Sequence, residues 1–122
     1  MDVLLVEDNS EVSLITVEYL TELGHSAVAV PAAEPALERL TERRFDAVMT
    51  DVSLPGMSGL ELVKELAKQY PKLPVVISSG YASINVEFGL GQHLPGVFFL
   101  QKPYDLAMLE KTLGEAAAFA AI

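Results

Sequence analysis

The sequence predicts an α/β architecture, a doubly wound parallel sheet of five strands with helices on both faces. Two observations predict it. Short apolar runs alternate with helically spaced apolar stripes along the whole chain, and the reactive residue types fall immediately after those runs. With 122 residues, 51% of them hydrophobic, the chain can bury one sizeable core but not two, so residues 1–122 are expected to form a single domain.

The five runs are Val3 to Val6, Ala27 to Val30, Ala47 to Met49, Val75 to Ile77 and Val97 to Leu100. Several are rich in β-branched residues, and they read as buried strands. Between the first two, Val12, Ile15, Tyr19 and Leu23 fall at helical spacing, with Asn9 or Ser10 placed to cap the start and Gly24 to end it. Ala33, Ala36, Leu37 and Leu40 mark a shorter second helix. Leu62, Val63, Leu66, Ala67 and Tyr70 mark a third, which opens on the capping-box pair Ser58 and Glu61. The last helix carries Leu106, Leu109, Leu113 and Ala117 as its stripe and starts near Asp105. Gly80, Gly89, Gly91, Pro95 and Gly96 interrupt the segment between Ile77 and Val97. A fourth helix there is expected to be short or irregular, because glycine costs about 1 kcal/mol relative to alanine in a helix interior.

Strict alternation of strand and helix implies right-handed crossovers, and five such units suggest the flavodoxin-like strand order 2-1-3-4-5. Ligands of open sheets of this kind bind beyond the carboxyl ends of the strands. There stand Glu7 and Asp8 after strand one, Asp51 after strand three, Ser78 and Ser79 after strand four, and Lys102 and Pro103 after strand five. Strand two, at the far edge, is followed only by Pro31, Ala32 and Ala33.

Composition narrows the function classes. A net charge of -9 repels polyanions, so nucleic-acid binding by this chain is not expected. The absence of cysteine removes disulfides and thiolate metal sites and fits a reducing compartment, with the cytoplasm as the default. The N-terminus lacks a signal-peptide pattern and no apolar run reaches membrane-spanning length, so no membrane association is expected.

Three carboxylates drawn together repel one another, which raises their pKa values or demands a cation between them. Oxygen ligands without nearby histidine or cysteine favour Mg²⁺. A lysine beside such a cluster serves an anion, as its ammonium can neutralise a phosphoryl oxygen while a serine hydroxyl donates to another. These parts suit phosphoryl transfer onto a carboxylate, with Asp51 as the nucleophile. Taken singly, each residue has a plainer role: Glu7 and Asp8 suit a helix start, Asp51 a turn, Ser79 a strand end, Lys102 a surface charge and Phe99 a core. Their joint arrival on one rim favours the chemical reading. His25 and His93 read as loop residues without a chemical role.

The chain resembles the response-regulator receiver domains along essentially its whole length. The resemblance rests on Val6-Glu7-Asp8, on the stretch Asp51-Val52-Ser53-Leu54-Pro55-Gly56-Met57-Ser58-Gly59, on Ser78-Ser79-Gly80 and on Leu100-Gln101-Lys102-Pro103. It implies that Asp51 accepts phosphate, that Asp8 ligates Mg²⁺ directly with Glu7 acting largely through water, and that Ser53 adds its backbone carbonyl. It further implies Ser79 as the switch hydroxyl, Lys102 as the phosphate-contacting lysine, Pro103 as a cis proline and Phe99 as the rotameric switch aromatic. The switch would repack the face formed by the fourth helix, strand five and the last helix. The partner implied is a histidine kinase or a histidine phosphotransfer protein, with the domain a monomer or weak homodimer. The Phe99 to Tyr104 stretch is also similar to the receivers that end hybrid sensor kinases, which inclines the reading toward such an origin over a stand-alone regulator.

Other classes fit less well. A flavin-binding flavodoxin would hold phosphate in the loop after strand one, where this chain places two acids. A Mg²⁺-dependent aspartyl-nucleophile phosphohydrolase would want a general acid two residues beyond Asp51, where Ser53 stands. Activity as an enzyme is thus expected to be at most self-phosphorylation from small phosphodonors and slow autodephosphorylation. A scaffold that binds partners without phosphorylation would not need the full set of groups.

Overall fold

The computed structural model describes residues 1–80 and 94–121. Strands β1 (Asp2–Val6), β2 (Ser26–Val30), β3 (Ala47–Asp51), β4 (Val75–Ser79) and β5 (Val97–Gln101) form one parallel sheet in the order β2-β1-β3-β4-β5. The expected strand order is the observed one. Four helices are described: α1 (Ser10–Glu22), α2 (Ala33–Glu42), α3 (Gly59–Gln69) and α4 (Leu106–Ala120), the last being the terminal helix of the sequence reading. The short fourth helix expected between Ile77 and Val97, and with it His93, lies outside the described residues.

Side chains alternate across each strand, so every central strand supplies two cores. Leu4, Val6, Val48 and Ile77 point to one face and are covered by Ala36 and Leu40 of α2 and Leu62, Val63 and Leu66 of α3. Val3, Leu5, Met49 and Val76 point to the other, beneath Leu20 of α1 and Leu109, Leu113 and Ala116 of α4. Each fully buried leucine among these contributes about 1.5–3 kcal/mol of transfer free energy.

Helix ends follow the local chemistry. Asn9 caps α1, its side-chain oxygen accepting from the backbone N–H of Glu11 and Val12. Gly24, at φ 88°, ends that helix in a left-handed turn that lets His25 N–H donate to Leu20 carbonyl and Gly24 N–H to Thr21 carbonyl. Ser58 accepts from Glu61 N–H at the start of α3, and Asp105 accepts from Met108 N–H at the start of α4.

Two expectations need correction. The strands are not equally buried: β2, on the sheet edge, buries only Val30 fully and exposes Ala29, because one of its sides has no neighbouring strand. Of the α1 stripe Val12, Ile15, Tyr19 and Leu23, the last two pack against the core from its margin and Val12 is partly buried, but Ile15 is not inward. Thr16 and Leu20 are the buried residues of the helix, and Ile15 is 50% exposed. The reason is a polar contact that a hydrophobic pattern cannot display, since Thr16 Oγ1 faces inward to share a hydrogen bond with the Tyr104 hydroxyl at 3.0 Å.

This difference separates two substitutions. Leu20→Ala is expected to lower the unfolding free energy by about 2–5 kcal/mol, through lost burial plus a cavity. Ile15→Ala should stay within about 0.5 kcal/mol. Urea melts of both variants check it, and a larger loss for Ile15→Ala would restore the original stripe.

Candidate functional site

The order β1-β3-β4-β5 brings the carboxyl ends of four strands side by side. Registers pair Val6 with Thr50, Asp51 with Ser78, and Ser79 with Gln101. Glu7 follows β1 directly, its N–H donating to the Val30 carbonyl at 3.0 Å. Asp51 is the last residue of β3, and Ser78 and Ser79 are the last two of β4, so the ladder extends slightly further than the apolar runs indicated. Lys102 follows β5, its N–H donating to the Ser79 carbonyl at 2.7 Å, and the Lys102–Pro103 peptide is cis.

Carboxylate oxygens of Glu7, Asp8 and Asp51 lie within 4.8 Å of one another. Into this cluster Lys102 Nζ donates to Glu7 Oε1 at 3.2 Å and to Asp51 Oδ2 at 3.1 Å. Glu7 Oε2 also accepts from Asn9 N–H at 3.2 Å. The side chain of Glu7 is only 5% exposed, against 28% for Lys102.

Burial therefore pushes the Glu7 carboxyl above its ordinary range, and the Asn9 N–H and the Lys102 ammonium pull it back only in part. For Lys102, burial works against its charge, yet the hydrogen bond and attraction of Asp51, together with Glu7, outweigh it and hold the ammonium above the usual lysine range. The pair is unequal. The lysine is well served by two acids, whereas one shared ammonium does not fully offset the desolvation of Glu7.

The backbone around Asp51 is held closely. Thr50 Oγ1 donates to the Asp51 carbonyl at 3.0 Å, and Ser53 N–H reaches Asp51 Oδ1 at 3.4 Å. Gly59 N–H donates to the Val52 carbonyl at 2.9 Å, and a Cβ at Gly59 would overlap the Asp51 carbonyl oxygen. Only glycine allows the start of α3 to fold back so near. Gly56 takes the left-handed φ of 72°, with the Glu34 carboxylate against it accepting from Met57 N–H at 3.4 Å.

The structure thus brings together Glu7, Asp8, Asp51 and Lys102, with Ser53 beside Asp51. Ser79 is buried at the end of β4. Phe99, paired in register with Ile77, is half-buried against the core covered by α2 and α3. The sequence reading missed Tyr104. Its ring meets that of Tyr19 edge-on, centroids 6.5 Å apart, and burial pushes its phenol above the usual range. Tyr104, Pro103 and Lys102 border a cleft of about 350 Å³ whose other wall is Val12, Ile15, Thr16 and Tyr19. The signal was present in the sequence: the stripe assigned to the core is partly the wall of this cleft.

The donor set fits a hard divalent cation such as Mg²⁺, since it offers carboxylate oxygens with no histidine or cysteine ligand. Among the described residues, no helix is long and apolar enough to cross a membrane.

A parallel sheet of this order, with three acids facing one lysine on its carboxyl rim, defines the receiver class of α/β proteins. The chain belongs to the response regulator receiver domain family, which matches residues 3–114. It is 33% identical over 119 residues to the transcriptional regulatory protein ZraR of Escherichia coli O157:H7, covering 97% of this chain and 26% of that protein. To the DNA-binding transcriptional regulator NtrC of Klebsiella pneumoniae it is 30% identical over 103 residues, covering 84% of this chain and 22% of that protein. The chain therefore spans about a quarter of the length of these curated relatives. The structure of the Vibrio cholerae chemotaxis protein CheY4 superposes with a TM-score of 0.82 at 26% identity, covering 94% of this chain and 97% of that one.

The unequal pair sets a pH dependence. Folding raises the Glu7 pKa above 4.5, so the metal-free folded protein holds that proton more tightly than the unfolded chain. The stability this contributes is complete below pH 4.5 and is lost as pH rises through the folded value. In EDTA, the stability of Glu7→Gln minus that of the parent is expected to grow as pH rises from about 4.5 toward neutrality. Urea melts at several pH values check this, and a difference independent of pH would refute it.

Proposed function

We propose that this domain accepts a phosphoryl group on Asp51 from the phosphohistidine of a histidine kinase or phosphotransfer protein, with Mg²⁺, and so acts as a conformational switch. The observation that carries the reading is the Lys102 ammonium held between Asp51 and Glu7, with Asp8 alongside. A carboxylate with a cation fixed against it, on an otherwise acidic chain, is suited to receive a dianionic phosphoryl group that would otherwise be repelled.

An Asp51 carboxylate oxygen attacks phosphorus as the P–N bond of the phosphoimidazole breaks, the bonding pair leaving with the imidazole, which takes up a proton. Lys102 offsets charge on one phosphoryl oxygen, and the Ser79 hydroxyl donates to another. Asp8 and Asp51 would hold Mg²⁺ directly, Glu7 largely through water, and Ser53 through its backbone carbonyl. The ion, when bound, supplies further charge neutralisation at the phosphoryl oxygens. The acyl phosphate is later lost to water, which returns the carboxylate and inorganic phosphate. Phe99, on the strand that Lys102 follows, is the side chain through which the altered site would reach the surface.

The apolar cleft between α1 and Tyr104 supports a docking role for the donor. It opens beside Lys102, and its wall includes Ile15, an apolar side chain left 50% exposed. A helical donor seated there would bring its phosphohistidine to the acid rim. The DNA-binding activity in the printed name of a relative belongs to that protein, and the net charge of -9 supports the reading that DNA is not a partner of this domain.

Acetyl phosphate with Mg²⁺ is expected to label the parent once, on Asp51, with slow loss afterwards. Asp51→Asn or EDTA should abolish labelling, read by intact mass. Persistent labelling of Asp51→Asn would reject the acceptor assignment. Sustained turnover of an ordinary phosphomonoester would favour the hydrolase.

A further inference from the structure

A second cleft, of about 670 Å³, lies at the opposite end of the sheet from Asp51, where the segments leading into β3 and β4 meet. Its apolar walls include Leu40, Phe45, Tyr70, Pro71 and Pro74. The volume falls within the roughly 300–1,000 Å³ of ordinary small-molecule sites. Phe45 is 4% exposed and forms a fixed wall, with the Arg43 guanidinium stacked 4.4 Å from its ring centroid. Arg43 is held there by Asp2, 3.1 Å away.

The charges around this cleft are unevenly matched. Both acids that line it are engaged: Asp46 accepts from Asp2 N–H at 2.7 Å, and Glu42 pairs with Arg39 at 3.2 Å. Arg44 and Lys72 line it as well, and neither has a hydrogen-bond or ion-pair partner among the described residues. Two uncommitted cations thus flank an apolar hollow on a chain whose net charge is -9. Nothing in the phosphoryl chemistry of the rim uses them.

We infer that this cleft binds a small molecule joining a flat aromatic body to an anionic head, the body against Tyr70 and the two prolines and the head between Arg44 and Lys72. A planar body matches walls made of rings, and a carboxylate or phosphate suits the fixed fork of an arginine beside a lysine. The two sources of such a head share one recognition chemistry, and a carboxylate probe reads it without competing for the acid rim.

The test is an amide NMR titration of the domain with 2-naphthoate, run beside its neutral isostere 2-naphthamide. Saturable shifts are expected at the amides of residues 40–46, 70, 72 and 73, with the naphthamide binding at least about fivefold more weakly. The double variant Arg44→Ala, Lys72→Ala alters exposed side chains only. It should keep the parent spectrum and its labelling by acetyl phosphate, yet bind naphthoate about tenfold more weakly. No saturable shifts at those amides, equal affinity for the neutral probe, or undiminished binding by the double variant would each overturn the inference.

Discussion

Everything at the functional end of this domain depends on one ammonium held against more negative charge than it can balance. Lys102 contacts Glu7 and Asp51, and Asp8 lies within the same few ångströms. Such a cluster is unfavourable in isolation, since like charges repel and the buried member loses its water. The hydrophobic layers on both faces of the sheet supply the stability that tolerates it. The position of Lys102 then has mechanical weight. Its side chain meets the acids while its own N–H binds the Ser79 carbonyl, so any change of charge at Asp51 alters first the residue that ties the ends of β4 and β5 together.

Most of the fold was legible in the sequence because the signals that specify it are local. Apolar runs marked the central strands, and Asn9, Gly24, Ser58 and Asp105 marked helix ends through hydrogen bonds that reach only a few residues along the chain. Burial was harder to read. Ala27 to Val30 look like any other apolar run, and only the missing neighbour on one side of β2 makes the strand half-exposed. The phase of α1 was legible only in part, with Tyr19 and Leu23 on the core and Ile15 exposed, for a related reason. Its inward face contains a threonine whose partner, Tyr104, is 88 residues away.

The candidate site divides along the same line. Glu7, Asp8, Asp51 and Lys102 could be picked out because a parallel sheet places whatever follows its strands on one rim. What each residue experiences there was not legible. Nothing in the sequence distinguishes the buried carboxyl of Glu7 from the exposed one of Asp8, although they are adjacent. Nor does it show that Glu34, on another helix, braces the turn at Gly56, or that Gly59 must be glycine because the Asp51 carbonyl occupies the space of a side chain. Contacts of this kind are made by the fold and exist only after it forms.

These contacts brace the backbone of Asp51. Thr50 holds its carbonyl from the strand side, Gly59 packs against that carbonyl from the start of α3, and the Val52 carbonyl accepts the Gly59 N–H. The main chain is thereby braced from both sides, while the carboxylate beyond it is met by Lys102 and by Ser53 N–H. Under the proposed acceptor role, a carboxylate positioned in this way would need little reorganisation as charge develops, which is the condition under which fixed electrostatics are most effective. On the other side, Lys102 joins the Asp51 carboxylate to the end of β5 and to the cleft beside Tyr104, so a change of charge at Asp51 is felt there through one direct contact.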